Sequence, residues 1–89
     1  MNSEEAFSYP LVLYEDREDG EEIWRGNFPG LNGCWLEAAT REEVIARAPS
    51  VLGEYAAACR GAGWRLPRAP ELSELRDTGV GEVFMIWAE

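Results

Sequence analysis

Eighty-nine residues, 46% of them apolar and ten aromatic (four Trp, three Tyr, three Phe), make one domain and exclude a disordered chain; at this size roughly 60–65% of the unfolded surface is buried, which leaves a modest margin for folding alone. No apolar run approaches the ~20 residues of a membrane helix, and Met1-Asn2-Ser3-Glu4-Glu5 lacks the basic start of a signal peptide. A net charge of −9 argues against direct nucleic-acid binding, and two cysteines with no histidine leave neither a disulfide framework nor a zinc set, so reduced thiols in the cytoplasm, no metal and no cofactor are expected.

Tyr9-Pro10-Leu11-Val12-Leu13-Tyr14 is β-rich and bounded by acids, which predicts a first strand. Pro10 removes one donor near the strand start, where the loss is tolerated. Glu15 to Glu22 reads as a charged loop with Asp19-Gly20 at its tip, a pair that supplies the positive φ of a tight hairpin. Ile23 to Phe28 returns with Trp24, Gly26 and Phe28 on one face and Ile23, Arg25 and Asn27 on the other, so residues 9–28 form a hairpin. Pro29-Gly30 and Asn32-Gly33 are turn pairs. A third strand over 34–38 alternates Cys34, Leu36 and Ala38 against Trp35 and Glu37, completing an antiparallel meander.

Thr40 with Glu43 three residues later is a capping box. Val44, Ile45, Ala48, Leu52, Tyr55, Ala56 and Cys59 follow helical spacing and make one core-facing stripe. Pro49 removes the bond to the Ile45 carbonyl. That predicts one bent helix over 41–60, ended by Gly61 and Gly63, or a short helix with Pro49 opening a second. Residues 64–81 form a connector broken by Pro67 and Pro70, with a helical turn near Leu72 to Arg76. Residues 82–88 are a nearly continuous apolar strand, suited to burial on both faces or to a helix on one and a partner subunit on the other.

The order β-β-β-α-β defines an α+β domain: a three-stranded antiparallel meander plus a fourth strand, with one main helix on one face. A right-handed crossover would set the last strand beside the first and parallel to it, in the order third, second, first, fourth. One helix covers one face only. Trp35 and some of Tyr14, Ile23, Phe84 and Ile86 are then exposed on the other, unless the Pro70–Thr78 segment folds over them. Such a patch points to a homo-oligomer, dimer or tetramer, or to another partner.

Four segments carry a family resemblance: Phe28-Pro29-Gly30-Leu31 with Gly33-Cys34, Thr40-Arg41-Glu42-Glu43, Tyr55-Ala56-Ala57-Ala58, and Gly63 before Leu66-Pro67. Their order and spacing resemble HicB-type antitoxins over about Tyr9 to Pro67. The resemblance implies a partial RNase H-like domain, here a single unit over residues 1–89, that neutralises a basic HicA-type mRNA-cleaving toxin by occluding it. Gly30 and Asn32 stand where the family commonly has Asp and Pro, Glu37-Ala38-Ala39-Thr40 replaces its acidic-Gly-Asp-Thr approach, and Pro49 interrupts a helix it usually continues. The family's carboxy-terminal helix-turn-helix or ribbon-helix-helix domain has no room after the last strand, so operator binding is not expected.

Charge is unevenly spread. Residues 1–22 hold eight acids against Arg17, a balance of −7; residues 23–70 hold six arginines and four acids, or +2; residues 71–89 hold five acids and Arg76, or −4. An acidic first third suits a basic protein partner. Glu15, Asp16, Glu18, Asp19, Trp24 and Trp35 are therefore the candidate contacts, against the simpler roles of solvated loop and core. Phe28, Pro29, Gly33 and Cys34 are assigned to strand-to-strand geometry, and Thr40 and Glu43 to the helix cap. No catalytic residue is expected. RNase H-type chemistry needs carboxylates converging on two metal ions about 4 Å apart, whereas the first strand offers Leu11-Val12-Leu13, the fourth has no acid between Glu82 and Glu89, and Glu54 stands alone on the helix. The alternatives to an antitoxin are an orphan homo-oligomeric domain binding another protein or a small ligand and, more remotely, a metal-dependent nuclease.

Overall fold

A two-residue hairpin turn holds its strands in register right up to the tip, and this sets the longest ladder of the sheet. The structure, a computed structural model, describes residues 7–71, 73, 75 and 81–88. Strands β1 (Phe7–Glu18) and β2 (Glu21–Asn27) pair antiparallel from Val12↔Asn27 to Glu18↔Glu21. Asp19 and Gly20 alone make the turn, at φ 55 and 83, the two positive values a type I′ turn demands. Most of the expected Glu15–Glu22 loop is therefore strand. The twist of a I′ turn matches that of its strands, and pairing runs on through acids whose side chains stand off into water on both faces.

Strand β3 (Trp35–Ala38) pairs with β2 antiparallel from Trp24↔Ala38 to Asn27↔Trp35. Between them the chain closes on itself. The Phe28 N–H donates to the Cys34 carbonyl (3.1 Å), the Leu31 N–H to the Phe28 carbonyl (3.1 Å) and the Cys34 N–H to the Leu31 carbonyl (3.2 Å). The Tyr55 hydroxyl ties this link to the helix by donating to the Asn32 carbonyl at 3.1 Å.

Helix α1 (Arg41–Gly61) opens at Thr40, whose Oγ1 accepts from the Glu43 N–H at 3.2 Å and donates to Glu43 Oε1 at 3.2 Å. Thr40→Ala orphans that donor and is expected to lower stability by about 1 kcal/mol, read as a lower denaturant midpoint at unchanged slope. The helix runs unbroken through Pro49 rather than splitting there. Val44, Ala48, Leu52, Ala56 and Cys59 are all buried along one stripe, and their packing offsets the one lost backbone bond. Bonds from the Gly63 N–H to the Arg60 carbonyl and from the Trp64 N–H to the Cys59 carbonyl then end it. In the connector, the Leu75 N–H donates to the Glu71 carbonyl at 3.4 Å, making one helical turn. Thr78 lies outside the described residues.

Strand β4 (Glu82–Ala88) pairs with β1 from Phe7↔Ala88 to Leu13↔Glu82, giving the order β3-β2-β1-β4. That order matches the expectation; the direction does not, because β4 is antiparallel to β1. The crossover rule applies when the helix itself makes the return journey. Here Arg41, at the start of α1, bonds Glu82, at the start of β4 (2.9 and 2.7 Å), so helix and strand begin at the same end of the sheet. The connector makes the return instead, with Pro70 against Gly30 and Leu75 beside the sheet face away from the helix.

The core lies between α1 and the other face: Leu11, Leu13, Phe28, Val44, Ala48 and Leu52 are fully buried. Gly26 is where the helix comes closest. A Cβ there would stand 2.8 Å from Val44 Cγ1 and 3.0 Å from Leu11 Cδ1. Gly26→Ala is thus expected to overpack the core and cost about 1–3 kcal/mol, visible as a lowered thermal midpoint. Of the residues expected to share the open face, Trp35, Tyr14 and Ile23 lie on it, whereas Ile86 is buried and Phe84 half-buried on the helix-facing side. The exposed apolar residues of β4 are Met85 and Trp87.

Cys34 and Cys59 are buried free thiols. Burial first, then the neighbouring Cys59, pushes the Cys34 thiol up to about 11 from its ordinary 9.0. The folded state thus holds this proton more tightly than the unfolded chain. Its contribution to stability is full below about pH 9 and is lost as pH rises to about 11. Urea midpoints should fall across that window, and Cys34→Ala should flatten the fall.

Candidate partner-binding face

Strand alternation sends Val12, Tyr14, Asp16 and Glu18 of β1, Arg25 and Asn27 of β2, and Trp35 and Glu37 of β3 to the face that α1 does not cover. Val12, Tyr14, Asn27, Trp35 and, from the connector, Leu75 line a groove of about 510 Å³ there, with Arg25 also on its wall. Trp35 is 54% exposed beside it.

Arg25 gathers the carboxylates. Its Nη1 lies 2.7 Å from Glu37 Oε2, its Nε 2.9 Å from Asp16 Oδ2 and its Nη2 3.4 Å from Glu18 Oε2. Register explains the convergence. Glu37 is directly opposite Arg25 across β2 and β3, and Tyr14 opposite it across β1 and β2, which puts Asp16 on the diagonal. Three carboxylates around one guanidinium leave a balance of −2 at the groove. The Arg17 backbone N–H, and then Arg25, hold the Asp16 carboxyl below its ordinary range, so it stays ionised. Exposed pairs of this kind add little stability; their effect is to fix where the charge sits.

Of the six candidate contacts, Asp16, Glu18 and Trp35 meet on this face. Glu15 points to the opposite side of β1, Asp19 sits in the turn, and Trp24 is half-buried against the core from the helix side. Sequence reading passed over Arg25, Glu37 and Tyr14. A signal existed: the hairpin tip at Asp19-Gly20 sets the β1–β2 register, and with it the Arg25–Tyr14 pairing. Arg41 was missed too. Beyond bonding Glu82 its guanidinium lies 5.3 Å from the Phe84 ring centroid, and its hydrogen bonds hold the Glu82 carboxyl below its usual range.

Among the described residues no group of three or more His, Cys, Asp or Glu is placed to hold a metal ion, and no helix is long and apolar enough to cross a membrane. The carboxylates near the groove turn to Arg25 instead. A groove of this make suits apolar side chains, and its rim suits cations.

This is an α+β domain presenting an aromatic groove within an acidic surround. A chain of a solved complex described as a HicA3 and HicB3 toxin-antitoxin complex shares the fold, with a TM-score of 0.57 and 19% identity over 93% of this chain and 96% of that one. No family model matches the sequence, and no curated protein matches it.

Proposed function

We propose that this chain is a HicB-like antitoxin that neutralises a basic HicA-type mRNA-cleaving toxin in the cytoplasm by covering it, with no chemistry of its own. The observation that carries this reading is the exposed Trp35 beside an apolar groove, next to Asp16, Glu18 and Glu37 held around Arg25. A large aromatic anchor with polar company is the usual make-up of an interaction hot spot. The sign of the surrounding charge selects a basic partner. Likeness in fold to a chain from a HicA3 and HicB3 toxin-antitoxin complex supports a toxin as that partner. Glu15 and Asp19 extend the acidic field at the hairpin, and Trp24 braces β2 from behind. Co-expression with a basic HicA-type toxin should restore growth. The purified pair should co-elute at low salt and separate as rising ionic strength screens the rim charges; no co-elution at low salt rejects the reading. A second reading, an orphan homo-oligomeric domain binding another protein or a small ligand, is favoured by one observation, the exposed Met85 and Trp87 on the edge strand β4.

A further inference from the structure

We infer that Trp64, together with Arg60, Arg65 and Arg68, binds single-stranded RNA: an unstacked base lies on the indole and neighbouring phosphates meet the guanidiniums. Trp64 is 70% exposed, and the three arginines are exposed as well. From Tyr55 to Pro70 the chain carries these three arginines and no acid. None of the three makes an ion pair with a described residue, whereas Arg25 and Arg41 are held by carboxylates. The end of α1 brings the parts together. The Gly63 N–H donates to the Arg60 carbonyl at 3.1 Å and the Trp64 N–H to the Cys59 carbonyl at 2.8 Å, so Trp64 stands beside the turn that bears Arg60. These bonds also occupy carbonyls whose partial negative charge would otherwise repel a phosphate.

The net charge of −9 argues against nucleic acid for the molecule taken whole, but the fold separates the hairpin acids from this segment. The Tyr55 hydroxyl donates to the Asn32 carbonyl and Pro70 packs against Gly30, so both ends of the segment rest on the link between β2 and β3. That link leaves β2 at Asn27, whereas the acidic hairpin turn lies at the strand's other end. The length of β2 sets them about 20 Å apart. The Debye length at physiological salt is about 8 Å, so the hairpin acids are screened from the arginines. Glu54 and Glu71 flank the segment in sequence, without pairing to it.

An exposed indole among unpaired guanidiniums fits a polynucleotide better than an acidic peptide. Every base has a π face, and stacking needs only an accessible ring. A peptide ligand needs a groove or a strand edge. Trp64 lies on no strand, and it lines neither the groove at Trp35 nor a second one between Pro49 and Trp87. Duplexes keep their base faces stacked, so a single strand is the form that fits. The choice of RNA over DNA rests on the antitoxin reading, in which the partner toxin cleaves mRNA; the chemistry of the site does not.

Fluorescence anisotropy of a labelled single-stranded RNA of about twelve nucleotides tests this on the chain alone, so RNA binding and toxin co-elution can fail separately. Affinity should fall roughly twentyfold between about 50 and about 200 mM salt, a log–log slope of about −2 for three phosphate contacts. Trp64→Ala should weaken binding about fivefold or more, and Trp64→Phe should restore part of the loss. Arg65→Gln/Arg68→Gln should reduce the slope to about −0.7. Arg47→Gln, about 20 Å along α1 from Arg60, should change nothing. RNA should bind at least as tightly as single-stranded DNA of the same sequence, and a duplex more weakly than either. Absence of binding at low salt overturns the inference, as does binding indifferent to Trp64→Ala. So does a preference for DNA or for duplex, or displacement of the RNA by an oligoglutamate of equal charge.

Discussion

Replacing Phe28 by alanine is expected to cost about 3–5 kcal/mol, against a total of roughly 4–13 kcal/mol for a domain of this length. The ring is fully buried at the end of β2, on the face where Gly26 lets α1 approach. The same residue closes the link to β3 through its own N–H and carbonyl, so the backbone around it is pinned at both ends. A pinned backbone cannot collapse into the vacated space, which places this substitution at the costly end of its class. Chemical denaturation measures the effect directly. A loss below about 1 kcal/mol means that the link relaxes into the vacated cavity and that its backbone is not pinned.

Trp35→Ala is expected to leave the fold intact and to weaken toxin binding by about 2 kcal/mol or more, roughly thirtyfold, mainly through faster dissociation. The side chain is more than half exposed in the free protein, so its removal leaves no core cavity. Reversing Asp16 and Glu18 to lysine acts differently. Association should slow and lose much of its salt dependence, because those carboxylates contribute field rather than packing. Glu15→Lys, on the other side of β1, serves as the matched control with a smaller effect. Trp24→Ala should reduce stability, since that ring packs against the core. Binding unchanged by Trp35→Ala would remove this face from the proposal.

Much of the architecture was legible before any coordinates. Period-two spacing placed Trp24, Gly26 and Phe28 on one side of β2 and Cys34, Leu36 and Ala38 on one side of the next strand. The stripe from Val44 to Cys59 marked the buried side of α1. These are properties of neighbours in the chain, where side-chain direction follows from local geometry alone. The strand order was legible as well, because short links leave few ways to stack a meander.

What lay beyond reach depended on contacts between distant residues. The direction of β4 turned on whether the helix or the connector makes the return, and the Arg41–Glu82 pair records that it is the connector. The run Val83 to Ala88 has no polar alternation to mark its sides, so only pairing with β1 assigned Phe84 and Ile86 to the core and left Met85 and Trp87 outside. The gathering of Asp16, Glu18 and Glu37 on Arg25 likewise required the registers of three strands at once. Local periodicity thus located the elements and the apolar sides of β2, β3 and α1, but neither the extension of β1 and β2 through the acids nor the sides of β4. Tertiary pairing alone decided what meets across elements, because register and strand direction are properties of the assembled sheet rather than of any one segment.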